Sequence, residues 1–160
     1  MGFENFINET ESVQPIRRFR HYPHDPRADE IEEWIEEYQD RFPAKVQCDF
    51  VEIATRDVQY YGKAYWRQRE GETIQYMRVS EKTFEQGIDF TRGVVLHEMV
   101  HLYLYQEDFW RRCNITEKHP IFIWLCGAVG ANHESVKPAD KLLREDLEFF
   151  SDVGVVEENY

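Results

Sequence analysis

Between Gly93 and Asp108 the chain reads GVVLHEMVHLYLYQED, with two histidines four residues apart and a glutamate directly after the first. Residues four apart lie on one face of a helix, so His97 and His101 can aim an imidazole nitrogen at a single point. Zinc takes nitrogen ligands at about 2.0–2.1 Å in tetrahedral geometry, and this pair supplies two corners. Glu98 is too close in sequence to share the direction of His97. It is well placed to take a proton from a metal-activated water and pass it to a leaving group. Val94, Val95, Leu96, Met99, Val100, Leu102 and Leu104 make the helix apolar almost all round, which predicts burial. Two histidines and a glutamate buried there are costly without partners, and a metal satisfies them. The competing reading is a pair of core histidines hydrogen-bonded to neighbours.

A structural zinc site closes its fourth corner with protein, whereas a catalytic one uses three protein ligands and keeps a position for water. The third ligand must come from beyond His101, where the sequence offers His119, His133, Glu107, Glu117, Glu134 and Cys113. His119 is favoured. It directly precedes Pro120 at a helix start, and 18 residues let the chain leave the first helix and return. Its plainer role is an N-cap. His133 reads as a helix-dipole partner or surface residue, with ligation in reserve. A glutamate would give a thermolysin-type arrangement, which the short interval and the lack of an acidic motif on a long following helix disfavour. Tyr60, Tyr61, Tyr65, Tyr103 and His133 are candidates for a further oxyanion donor, although most of those tyrosines read as core or sheet residues.

The elements that must position these groups follow from periodicity and punctuation. Asp25 can cap a helix that has Pro26 at its first position and Ile31, Trp34, Ile35, Tyr38 and Phe42 on one face. Three strand-like segments follow at 45–54, 59–68 and 72–80, with a hairpin turn around Gly71. The segment EKTFEQGID reads as a loop, and the histidine helix runs from about Phe90 to Glu107. A third, apolar helix begins at Pro120. A fourth, PADKLLREDLEFF, carries Leu142, Leu143, Leu147 and Phe150 as its buried stripe. The expected fold class is α+β, with an N-terminal helix, a small three-stranded sheet, the active-site helix and two further helices. Residues 1–24 form an N-terminal leader with a basic-aromatic strip, and 25–160 form the domain.

Composition narrows the function. The chain has 160 residues, 42% hydrophobic and 31% charged, as expected of one globular domain. No apolar run reaches the length of a membrane span. The N-terminus lacks the features of a secretion signal, and Phe6 stands where a myristoylation signal wants serine or threonine. Cys48, Cys113 and Cys126 are few, odd in number and widely spaced, the pattern of reduced thiols. The expected location is therefore cytoplasmic, with no membrane partner. A formal charge of −12 argues against broad nucleic-acid binding. The local exception is PIRRFRHYPHDPR, where Arg17, Arg18, Arg20 and Arg27 alternate with aromatic residues and could meet a phosphate backbone, single-stranded bases or a partner. Its plainer role is an arm that pairs its arginines with the acidic body.

LHEMVHLYLY followed by a spaced KHP-IF resembles the SprT-like zinc metallopeptidases, the group that includes Spartan. His97, Glu98 and His101 match the first motif of that family. His119, Pro120 and Phe122 match its H-G-P-x-F-like motif without the glycine. GKAYWRQREGETIQYMRVSEKTF is similar to the family's hairpin, so the resemblance spans about residues 28–150. It implies a zincin-like metallopeptidase domain with one Zn2+ held by His97, His101 and His119, and with Glu98 as general base. It further implies a protein substrate, with DNA–protein crosslinks as the Spartan-type target. Many relatives add a C-terminal zinc ribbon or DNA-binding tail, whereas this chain ends at VVEENY and reads as a compact member. Two other functions fit the residues: a non-catalytic, zinc-stabilised adaptor, and a hydrolase acting on something other than a peptide.

Overall fold

The computed structural model describes residues 19–107 and 115–133. Helix α1 (Pro26–Tyr38) starts as its sequence predicts, with the Asp25 carboxylate accepting the Arg27 N–H at 2.9 Å and Pro26 at the first turn. Ile31, Trp34, Ile35 and Tyr38 are its buried stripe. A 3-10 turn, Gln39–Arg41, carries the chain off the helix and puts Phe42 in the same core.

Strands β1 (Phe50–Ala54), β2 (Gly62–Arg69) and β3 (Glu72–Ser80) form one sheet in the order β1-β3-β2. β2 and β3 are an antiparallel hairpin, and Glu70 and Gly71 between them both have positive φ, 53° and 81°. That pair makes the tight turn whose twist matches the strands. β1 pairs parallel to β3. The strand read over 72–80 is therefore central, and β2 is an edge.

The strand read over 45–54 is shorter than expected because glutamines occupy the backbone of its first half. The Gln39 side chain bonds both ways with Val46, at 2.8 and 3.0 Å. Gln106 accepts the Gln47 N–H at 2.9 Å and donates to the Lys45 carbonyl at 2.7 Å. Gln75, fully buried, donates to the Gln47 carbonyl at 3.0 Å. Three side chains thus satisfy much of the polar backbone that a neighbouring strand would otherwise satisfy.

Part of the segment read as a loop after β3 is a short helix, α2 (Glu81–Phe84), capped by the Ser80 side chain. Helix α3 (Ile88–Gln106) begins two residues before the expected start, and α4 (Pro120–Val129) begins at Pro120 as expected. Leu96, Met99, Val100 and Leu102 of α3 share one core with α1, α4 and the inner residues of β1 and β3. The architecture is α+β. Among the described residues, no helix is long and apolar enough to cross a membrane. The helix read over 138–150, the first 18 residues with Arg17 and Arg18, Cys113 and Glu134 lie outside the described residues.

The other face of the sheet carries a stack of rings, Phe50 on Tyr76 and Tyr76 on Tyr65, with centroids 4.4 and 4.7 Å apart. Glu52 is buried beside it and pairs with Arg78 at 2.9 Å. Its other oxygen accepts the N–H groups of His21 and Tyr22 at 2.6 and 2.7 Å. One carboxylate thereby ties the N-terminal segment to the sheet. Arg20 lies over the Phe50 ring at 4.4 Å, and Arg27 pairs with Asp25 and Glu81. Removing one member of a buried ion pair strands the other, so Glu52→Ala is expected to lower stability by about 3–5 kcal/mol in urea unfolding. A loss below ~1 kcal/mol would show that the tie is dispensable.

Candidate metal centre

α3 is buried along most of its length, and His97, Glu98 and His101 lie together in its middle turns. The rings of His97 and His101 lie 5.2 Å apart. Phe122 in the first turn of α4 is their floor, with centroids 5.1 Å from His97 and 4.4 Å from His101. Phe122 is fully buried, so the ring that matches the second family motif acts here as packing beneath the imidazoles.

The tautomer of His97 follows from its partner. Its Nδ1 lies 2.6 Å from the backbone carbonyl of Asn132. A carbonyl only accepts, so Nδ1 carries the proton and Nε2 keeps the lone pair that a metal needs. Asn132 is itself hooked onto α3: its N–H donates to the Gly93 carbonyl at 3.1 Å, and its side-chain amide donates to the Phe90 carbonyl at 2.9 Å. This approach requires glycine at 93, since a Cβ there would stand 2.0 Å from Asn132 Oδ1.

The Glu117 carboxylate faces both histidines, with Oε1 3.1 Å from His97 Nε2 and Oε2 3.6 Å from His101 Nε2. Ligand atoms of His97, His101 and Glu117 all lie within 4.8 Å of one another, and this is the group among the described residues that could hold a metal ion. Two imidazole nitrogens and a carboxylate suit zinc, and the bond from His97 Nδ1 to a carbonyl is the usual support for a metal-bound histidine. The pairing with His101, aided by His97, holds the Glu117 carboxyl down at about 2. His119 is buried, and its Nδ1 accepts the Ile121 N–H at 3.1 Å as the N-cap of α4. His133 donates from Nε2 to the Glu117 carbonyl at 2.7 Å, which ties the end of α4 to the turn before it.

Glu98 is 5% exposed, and burial, with a smaller push from Glu117, raises its carboxyl to about 8. β2 starts directly against it, where a Cβ on Gly62 would lie 2.7 Å from Val94 Cγ1 and 3.1 Å from Glu98 Oε2. Glu98, His97 and Glu117 open onto a cavity of about 910 Å3 walled by Tyr61, Phe90 and Val94, with Asn132 and His133 also on its lining. Tyr61 packs edge-on against Phe90 at 5.0 Å. Its carbonyl accepts from Ser80 N–H and the Thr83 hydroxyl, at 2.9 and 2.7 Å.

The structure therefore brings together His97, Glu98 and His101, with Glu117 as the third group around one point and His119 two residues further on. Of the five candidate oxyanion donors, Tyr61 and His133 reach the cavity. Tyr65 stacks on the outer sheet face, Tyr60 lies beside it, and Tyr103 is buried against Phe42. Asn132, whose carbonyl meets His97 Nδ1, is a part of the site that the motifs do not reveal. The available signal is Gly93, an isolated glycine in an apolar helix, which marks a close approach by another segment.

Gly93→Ala is expected to displace Asn132 and weaken zinc binding by about 10–100-fold, the range for losing the partner of a ligating histidine. Titration against a chromophoric chelator measures this, and unchanged affinity would refute the role given to Asn132.

A pH test follows from Glu98. Its folded value of about 8 lies above its ordinary 4.5, so its stabilising effect is complete below 4.5 and is lost as pH rises through 8. His97 is shifted downward by burial and acts below 6.5, while Glu117 acts below 4.5. From pH 6.5 to 8 the metal-free protein is expected to lose ~2 kcal/mol, one proton over about 1.5 pH units. Glu98→Gln is expected to be flat over the same interval, and a slope equal to that of the wild type would refute the assignment.

The SprT-like family model matches residues 28–141, a stretch that holds all but the first two residues of α1, the sheet, α3 and α4. No curated protein and no solved structure matches the chain.

Proposed function

The chain belongs to the SprT-like family, and we propose that it is a zinc-dependent endopeptidase acting on protein substrates. The observation that carries this reading is the convergence of the His97, His101 and Glu117 ligand atoms on one point, with His97, Glu98 and Glu117 lining a cavity of about 910 Å3. His97 and His101 supply two ligands, and the turn of residues 117–119 supplies a third. Zinc bound there contributes Lewis acidity toward a peptide carbonyl and toward water.

The remaining work falls to the chain's own residues. Glu98 is the general base: it takes a proton from the attacking water and returns it to the leaving amine. Its burial suits that exchange, because a carboxylate with little competing water holds a proton readily. Tyr61 faces the same cavity, and its hydroxyl can donate to the oxygen that becomes negative. β2 starts at the cavity and runs along the sheet edge, where an extended substrate can add as a strand. Phe90, Val94 and Tyr61 offer an apolar wall to a side chain beside the cleaved bond. Proteins held on DNA are the substrate class implied by the family resemblance, and Arg20 and Arg27 are the described members of the strip that would meet phosphate. Arg20 stacks on Phe50 and Arg27 pairs with two carboxylates, so phosphate would have to compete with those contacts.

The test is digestion of an unstructured protein by the zinc-loaded chain, with and without single-stranded DNA. Glu98→Gln is expected to keep its zinc and lose about 10²–10⁴-fold in kcat. Turnover retained in that variant would remove Glu98 as the base. Zinc binding without cleavage by the wild type would leave an adaptor as the better reading.

A further inference from the structure

We propose that the open edge of β2 selects extended substrates with acidic side chains near the cleaved bond, and that Lys63 and Arg67 make the selection. This rests on the reading above that a substrate adds to β2 as a strand, and it names the class of segment that fits. The chain has 31 acidic residues against 19 lysines and arginines, so carboxylates are plentiful around its cations. Arg27, Arg56, Arg78 and Arg92 are each paired with one. Lys63 and Arg67 are exposed, and neither pairs with a carboxylate among the described residues. Aromatic rings hold them. Lys63 Nζ lies 5.7 Å from the centre of the Tyr60 ring and 5.5 Å from that of Tyr65, and the Arg67 guanidinium lies 5.2 Å from Tyr65. A ring face fixes a cation without neutralising its charge.

The backbone beside these cations is placed to receive a strand. Ser80 N–H donates to the Tyr61 carbonyl at 2.9 Å, and Gly62 stands opposite Val79 in the register. Hydrogen-bonded pairs alternate along an antiparallel ladder. Lys63, Tyr65 and Arg67 therefore turn their amides and carbonyls toward β3, while those of Gly62 and Ala64 point to the open edge. The Trp66 carbonyl, next in that series, accepts the Arg67 guanidinium at 3.2 Å. An added strand meets Gly62 and Ala64 with its own amides and carbonyls. Its side chains opposite Lys63 and Arg67 then share one face, four residues apart. Gly62 also lines the cavity beside Glu98, so the acidic positions fall on the stretch of substrate that leads into the cavity. A phosphate backbone would meet the same cations, but a phosphodiester linkage has no N–H for the edge carbonyls. Tyr65 is buried and already stacked on Tyr76, so it offers a base little to stack on. A peptide answers both the charges and the backbone.

The experiment measures fluorescence anisotropy of two labelled, unstructured peptides with the zinc-loaded full-length chain. One peptide carries two glutamates four residues apart, and the other has glutamine at both positions. Cleavage of each is assayed in parallel. The wild type is expected to bind the glutamate peptide about 3–10-fold more tightly, as two cross-strand charge pairs allow, and to lose that preference at high salt. The double variant Lys63→Gln, Arg67→Gln changes only exposed side chains and is expected to bind the two peptides alike, with circular dichroism verifying its fold. Equal affinity of the wild type for both peptides, or binding of neither, overturns the proposal. So does a glutamate preference that survives in the double variant. Single-stranded DNA that needs the two cations while the peptides do not would assign them to phosphate instead. Binding is read without turnover, so the two readings fail separately. The preference without cleavage removes the endopeptidase and keeps the selective edge, whereas cleavage without the preference does the reverse.

Discussion

An imidazole has two nitrogens, and it can give one to a metal reliably only when the other is committed to the protein. The contact between His97 Nδ1 and the Asn132 carbonyl is that commitment, and much of the surrounding structure serves it. Asn132 reaches α3 because α4 ends in a left-handed residue, Gly130, that turns the chain back. It seats there because Gly93 has no side chain to exclude it. The Arg41 guanidinium donates to the Val129 carbonyl at 2.8 Å and holds the same helix end from the α1 side. The candidate metal centre is thus a product of how α3 and α4 are joined as well as of the motif on α3.

The sheet solves a different problem. A three-stranded sheet buries its central strand but leaves long flanking segments with polar backbone to satisfy. Lys45–Asp49 runs along the core, and Gln39, Gln75 and Gln106 meet its amides and carbonyls from three different elements. On the opposite face Glu52 does the same for His21 and Tyr22. Side chains that mimic a neighbouring strand let a small sheet carry extended chain on both of its faces.

The difference between local and distant order decides what is legible in the sequence. The period of Ile31, Trp34, Ile35 and Tyr38, the Asp25–Pro26 start and the Glu70–Gly71 turn are properties of adjacent residues, and each element forms where those signals stand. The stretch 45–49 has the composition of a strand, but its fate depends on glutamines up to about 60 residues away, so composition alone extends the strand too far. The same division holds at the site. His97, Glu98 and His101 announce themselves because helical spacing alone brings the two histidines together. Glu117 and Asn132 enter from 16 residues beyond His101 and 35 residues beyond His97, from segments whose spacing alone says nothing about distance in space. His119 stands out through its place before Pro120, and that same place makes it a cap.

The outer strand β2 has one more consequence, for encounters between molecules. Its solvent-facing side chains include Lys63 and Arg67, cations on a chain whose formal charge is −12. Two copies that met along this edge would bring like charges together in the alignment that strand pairing requires, which disfavours growth into ribbons. An extended segment bearing carboxylates would meet the opposite field. Cationic side chains on an exposed edge strand thus act as a guard against strand-to-strand association.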